Sequence, residues 1–179
     1  KSLDNDIMDE PNFMIYETKK VLNTEVNGEK THVQIQEFPI KWARLHHPWD
    51  DFQYFPFTQK ILIDDNHQVW FHLSDLYRVL HFDRIDYNYY QFKQVEHGIK
   101  MAGGIFHAEL FRVDVKPFVK YAGEENIIDV RVWYPNHGRI KSKFVNIAGL
   151  VNILKTLATP AALRFAKSFG IREYIELHD

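Results

Sequence analysis

The side chains with the clearest capacity for chemistry in this 179-residue chain are cations, and they are unevenly placed. Arg131, Arg139, Lys141, Lys143, Lys155, Arg164, Lys167 and Arg172 fall within residues 131–172, a stretch with no acidic residue. Residues 1–130 carry 21 acidic and 14 basic side chains, so the overall net charge of −2 hides a strong asymmetry. A run of cations of this kind suits a polyanion, because each phosphate neutralised releases condensed counterions. Its structural alternative is a solvated face balanced by acids from elsewhere in the chain. Arg139, Lys141 and Lys143 alternate, so on a strand they share one face at about 7 Å spacing. Arg164 and Lys167 stand three apart, neighbouring positions on a helix.

Other residues with catalytic or ligating chemistry fall into weaker patterns. His46 and His47 lie near Asp50 and Asp51. Adjacent side chains on an extended segment point to opposite faces, and Pro48-Trp49 interrupts them, so a metal site is not expected. The four serines, Ser2, Ser74, Ser142 and Ser168, occur in no nucleophile motif. No phosphate-binding glycine loop is present, and Gly103-Gly104 reads as a turn. Asp64-Asp65 and Glu124-Glu125 read as exposed acids in turns. Tyr87, Tyr89, Tyr90 and Phe92 are of a type that stacks bases, but they have only Arg84 and Lys93 as nearby cations and read as core. The chain has no cysteine, which excludes disulfides, thiolate metal sites and a cysteine nucleophile. The expectation is a protein that is not an enzyme, with no cofactor and no metal.

The elements that would position the basic residues can be read from periodicity. Asn27-Gly28 signals a type I′ hairpin, with Val33 and Ile35 alternating on its far strand. Residues 39–57 are rich in aromatics and punctuated by three prolines, which argues for a loop. Gln59–Asp64 and Gln68–His72 read as strands around an Asp65-Asn66 turn. Ser74 reads as the cap of a helix bearing Leu76, Val79 and Leu80. Leu110–Val119 and Asn126–Tyr134 read as strands, with Arg139–Ile147 returning after the Pro135–Gly138 turn. A helix from about Asn146 carries Leu150, Ile153, Leu154 and Leu157. Thr159-Pro160 opens another, bearing Leu163, Ala166 and Phe169 and stopped at Gly170. The fold class expected is α+β, a single domain of antiparallel strand pairs with short capped helices. Residues 1–57 would be an N-terminal extension and 58–179 the α+β domain proper.

Three segments carry a family resemblance. Val69-Trp70-Phe71-His72-Leu73-Ser74-Asp75-Leu76-Tyr77-Arg78-Val79-Leu80 resembles the helix entry of the BRO-N domain family of phage antirepressors and baculovirus repeated-ORF proteins. Phe144–Leu154 is similar to that family's later segment, with Gly149-Leu150 in register. Thr159–Lys167 is similar to its closing basic helix, Ala162 and Phe165 falling on matching positions. Ile147-Ala148 stands where the family has Glu-Ser. Over residues 58–178 the resemblance implies a phage- or prophage-type regulator that binds DNA. The site expected is Arg139, Lys141, Lys143, Lys155, Arg164, Lys167 and Arg172. The alternatives are a protein-sequestering module, acting on a repressor or host factor through the acidic part and the aromatic loop, and a metal-dependent hydrolase or nuclease. The expected setting is the host cytoplasm: there is no apolar run of about 18 residues and Lys1–Pro11 is polar and acidic.

Overall fold

In a computed structural model of the chain, the described residues are 18–40, 45–46, 53–54, 58–81, 113–134 and 138–178. Strands β1 (Thr18–Val26) and β2 (Glu29–Pro39) form the first hairpin. Asn27 and Gly28 turn it with φ of 50° and 87°, the pair of positive angles that a type I′ turn demands. Two short strands, β3 (Leu45–His46) and β4 (Gln53–Tyr54), pair only with each other among the described residues. Strands β5 (Thr58–Ile63) and β6 (Val69–His72) come after them. In the turn between these two, Asp64 accepts from the amides of Asn66 and Gln68 and from the indole N–H of Trp70. That carboxylate, an ordinary turn acid by sequence, fixes both the turn and a core aromatic.

Helix α1 (Leu73–His81) comes next, then α2 (Lys116–Ala122) and a single 3-10 turn at Glu124–Asn126. Strands β7 (Ile127–Tyr134) and β8 (Gly138–Asn146) form the last hairpin, before helices α3 (Ile147–Leu157), α4 (Pro160–Phe169) and α5 (Arg172–Ile175). Six strands close into one antiparallel barrel in the order β1-β2-β5-β6-β8-β7, with β7 returning to β1. Closure pairs each of the six strands on both sides over at least part of its length, which reduces the unpaired backbone groups that an open sheet exposes. The expected α+β domain of antiparallel pairs is what forms; the pairs join into a barrel, which local patterns do not reveal. The boundary expected at residue 57 does not divide it, since β1 and β2 are two of its six strands.

The pleat sorts the apolar residues into two cores. Val33, Ile35, Leu62, Trp70, Ile128, Val130 and Phe144 fill the barrel interior. Alternate positions, Ile61, Phe71 and Val145, face outward beneath the helices and join Leu76, Leu150, Ile153, Phe165 and Phe169. Phe71 sits edge-on to both Phe165 and Phe169. The expected stripes on α1, α3 and α4 are the faces that this second core buries.

Two local expectations are corrected. The strand read over Leu110–Val119 is, in its described part, an irregular entry leading into α2. Asp114 accepts from the Lys116 amide and Pro117 sits in the first helical turn, where a missing N–H costs nothing. Phe118 and Ala122, four apart, are both buried. Ser74 does not cap α1, because it already lies inside the helix; His72 precedes the first turn and its Nδ1 faces the Asp75 amide at 3.3 Å. By contrast Asn146 caps α3 through the Gly149 amide, and Thr159 caps α4 through that of Ala162. Gly170 ends α4 at φ 66°.

Helices α2 and α3 meet at Gly149. A Cβ there would stand 2.5 Å from Val145 Cγ2 and 2.8 Å from the Asn126 Cβ. Gly149→Ala gains helix propensity of about 1 kcal/mol but meets overpacking of about 1–3 kcal/mol. Overpacking wins, so thermal denaturation of this variant is expected to show a lower melting temperature by a few degrees. Thr159→Ala is expected to lose about 1 kcal/mol in chemical denaturation, the usual worth of an N-cap.

Candidate nucleic-acid interface

Strands β7 and β8 are paired from Ile127–Val145 to Tyr134–Gly138, and the register sets the chemistry of their outer face. The rows run Ile127–Val145, Asp129–Lys143, Arg131–Lys141 and Trp133–Arg139. Between them the inward rows, including Ile128–Phe144 and Val130–Ser142, carry the barrel core. Val145 and Ile127 are packed into the core beneath the helices. Beyond that cover the face turns ionic. Lys143 donates to Asp129 Oδ1 at 2.8 Å, a half-exposed ion pair. The hydrogen bond from Lys143 holds the Asp129 carboxyl below its usual range; partial burial opposes this, and the charges of Lys143, Lys141 and Arg131 assist it.

Arg131 and Lys141 come next, directly opposite each other and both exposed. Across β1 the register sets Glu25 opposite Arg131, and β2 sets Lys30 opposite Glu25. A charge row therefore crosses four strands as Lys30, Glu25, Arg131, Lys141. Asp129 and Glu25 supply the acids that residues 131–172 lack, so the ribbon is only partly neutralised. Among the described residues the cation surplus lies at Arg131 and Lys141.

The remaining expected residues divide. Arg139 lies on β8 opposite Trp133; its side chain is outside those described. Lys155 on α3, Lys167 on α4 and Arg172 on α5 are exposed on the helical layer. Arg164 is 5% exposed, which removes it from any phosphate-contacting surface. Helix α4 packs against α1, α3 and α5, so its buried arc is broad. Arg164 falls inside that arc between Ala161 and Ser168, both buried. The seven residues do not form one continuous face. His46 is placed on β3; His47, Asp50, Asp51 and the tyrosines at 87–90 lie outside the described residues. Among the described residues no group of three His, Asp or Glu gathers to hold a metal, and no helix is long and apolar enough to cross a membrane.

Sequence reasoning missed one buried polar cluster. Asp75, 4% exposed, accepts from the Lys60 amide at 2.8 Å, and its carboxylate lies 3.0 Å from Lys60 Nζ. Arg78 approaches it at 3.5 Å. His72 Nδ1 lies 3.1 Å from Oδ2 as well as 3.3 Å from the Asp75 amide. One nitrogen cannot serve both: bare, it accepts the amide and caps α1; protonated, it donates to the carboxylate. Burial pushes the Asp75 carboxyl up and is the largest single influence. The His72 hydrogen bond, the charges of His72 and Lys60 and the Lys60 amide together outweigh it, leaving the carboxyl below its ordinary value. An Asp–His pair can orient a general base, but His72 is itself buried with its ring 5.1 Å from that of Phe144. The cluster clamps α1 to β5. The only sequence signal for it was the i, i+3 spacing of His72 and Asp75.

Asp75→Asn is expected to destabilise the protein at neutral pH by up to about 3 kcal/mol, since the partly buried Lys60 and Arg78 lose the buried carboxylate they face. A carboxyl with a depressed folded pKa contributes stability above its unfolded value, near 3.8, and that contribution fades as pH falls through the folded value. Chemical denaturation of both proteins is therefore expected to show the gap narrowing on acidification below about pH 4.

The segments Val69–Leu80, Phe144–Leu154 and Thr159–Lys167 become β6–α1, the end of β8 with α3, and α4, and they meet through Phe71, Leu76, Leu150 and Phe165 in one core. Compared with known proteins, the chain matches no family model, no curated protein and no solved structure.

Proposed function

We propose that this protein binds DNA through the outer face of the β7–β8 ribbon, as a regulator of the phage or prophage type. One observation carries the binding reading: Arg131 and Lys141 are exposed and directly opposed across the ladder. Like charges in such a pair destabilise a sheet. Asp129 is already engaged by Lys143, and Glu25 is shared between Lys30 and Arg131 by the register. A phosphate group offsets the remaining repulsion and gains two charge-assisted hydrogen bonds. The regulatory part of the reading rests on the resemblance in sequence. Lys155, Lys167 and Arg172 lie on the helical layer and are not needed for this contact.

Arg131→Glu combined with Lys141→Glu is expected to weaken DNA binding regardless of sequence. It should also lower the slope of log affinity against log salt by about two, one for each lost phosphate contact. Asp129→Ala frees Lys143 and is expected to act oppositely, tightening binding and raising the slope by about one. Fluorescence polarisation over a salt series measures both. Retention of no DNA by the wild-type protein at about 50 mM salt, where phosphate contacts are strong, would leave a protein partner as the reading to pursue.

A further inference from the structure

The cluster around Asp75 sits at one end of the barrel. Lys60 shares the inward face of β5 with Leu62, and His72 shares that of β6 with Trp70, by the two-residue period of each strand. Leu62 and Trp70 belong to the interior core, so Lys60 and His72 stand where that interior ends and α1 begins. Asp75 and Arg78 reach the same place from the first two turns of α1. Side-chain exposure rises from Asp75 at 4% through His72 at 10% and Arg78 at 16% to Lys60 at 31%. The corner is therefore buried at its base and open to solvent at its rim, and the mouth of a barrel is a common place for a small ligand.

Its hydrogen bonding is complete on one side only. The Asp75 carboxylate is served by the Lys60 amide, Lys60 Nζ and His72. Arg78 approaches it through Nη1 at 3.5 Å, which is long for a hydrogen bond. Arg78 Nε–H is buried, and no group among the described residues accepts from it. In a guanidinium, Nε–H shares an edge with Nη2 and not with Nη1. The contact to Asp75 therefore leaves that edge as a fork of two donors, the geometry that takes both oxygens of a carboxylate or a phosphate. Lys60 Nζ is 3.2 Å and Arg78 Nη1 3.5 Å from the same oxygen, Asp75 Oδ1, so an ammonium stands close to the guanidinium. Net charge does not decide the matter, since Glu37 faces Lys60 across the β2–β5 ladder. The buried donor does: without an acceptor it is costly, and in a folded protein it points to an ordered water or a bound ion.

We propose that the Nε edge of Arg78, with Lys60 beside it, binds a small oxyanion, a phosphate or carboxylate group. The site uses β5 and α1 and none of the ribbon's cations, so it stands whether or not the ribbon binds DNA. A water molecule is the competing occupant; it accepts from Nε–H but brings no charge to the guanidinium and the ammonium.

Isothermal titration of the full chain with sodium phosphate and, separately, sodium acetate tests this, in about 150 mM sodium chloride to screen contacts with exposed cations. The expected result is saturable binding of a single anion per chain with a dissociation constant of about 1 mM or tighter. The tighter of the two anions identifies the group, phosphate or carboxylate. Arg78→Lys keeps the charge and removes the fork; it should weaken binding at least about tenfold, the low end for a lost hydrogen bond to a charged partner. Lys60→Gln should also weaken binding and serves where Arg78→Lys does not fold. The double variant Arg131→Glu, Lys141→Glu should bind the anion as the wild type does. Saturable binding of neither anion leaves water as the partner of Nε–H and overturns the proposal. So does unchanged affinity in a folded Arg78→Lys or Lys60→Gln protein, and so does loss of binding in the ribbon double variant, which would move the anion to the ribbon.

Discussion

The structure depends on closure of the barrel, and closure depends on β8. This strand pairs with β7 on one side and with β6 on the other, while β7 reaches across to β1. The β6–β8 join is only three residue pairs long, Trp70–Asn146, Phe71–Val145 and His72–Phe144. Those pairs unite segments far apart in the chain, so their backbone hydrogen bonds form only after a large loop-closure cost. Burial on both faces offsets it: Trp70 and Phe144 go to the interior core, Phe71 and Val145 to the helical core. The same residues thus close the sheet and anchor the helices.

Closure produces a barrel with unlike outer walls. Helices α1 and α3 lie over β5, β6 and the adjoining part of β8, and Asp75 ties α1 to β5 by accepting the Lys60 amide. Gly149 lets α3 approach α2 until the Asn126 and Asn152 side-chain amides both reach the carbonyl of Ala122. Where this cover ends, the outward residues of β8 change from Val145 to Lys143 and Lys141. The basic ribbon is therefore the uncovered continuation of a surface that elsewhere is core. Its charge is moderated by Asp129 from its own hairpin and by Glu25 from β1, so the acid-rich early part of the chain and the acid-free later part meet there.

The sequence by itself determined whatever depends on neighbours along the chain. The Asn27-Gly28 turn, the helix start near Asn146, the cap at Thr159, the stop at Gly170 and the alternation of Ile128 and Val130 all express local backbone geometry. The same holds for the shared face of Lys141 and Lys143, which comes from the two-residue period of a strand. Local reading failed where two local signals competed, as at Lys116–Ala122. Just before and within it, Val113, Val115 and Val119 favour a strand, while Asp114 and Pro117 mark a helix start.

Only the tertiary structure decided how those pieces were used. It set Arg131 opposite Lys141 and Asp129 against Lys143, because register is a property of two strands and neither contains it alone. Arg164 was turned into the interior because α4 packs on three sides, whereas a helical stripe predicts burial on one. Lys60, His72 and Arg78 were gathered around Asp75 from elements that local patterns treat separately. Composition shows that cations are concentrated in one part of the chain. Which of them remain exposed, and which acids stand beside them, is fixed by contacts between residues distant in sequence.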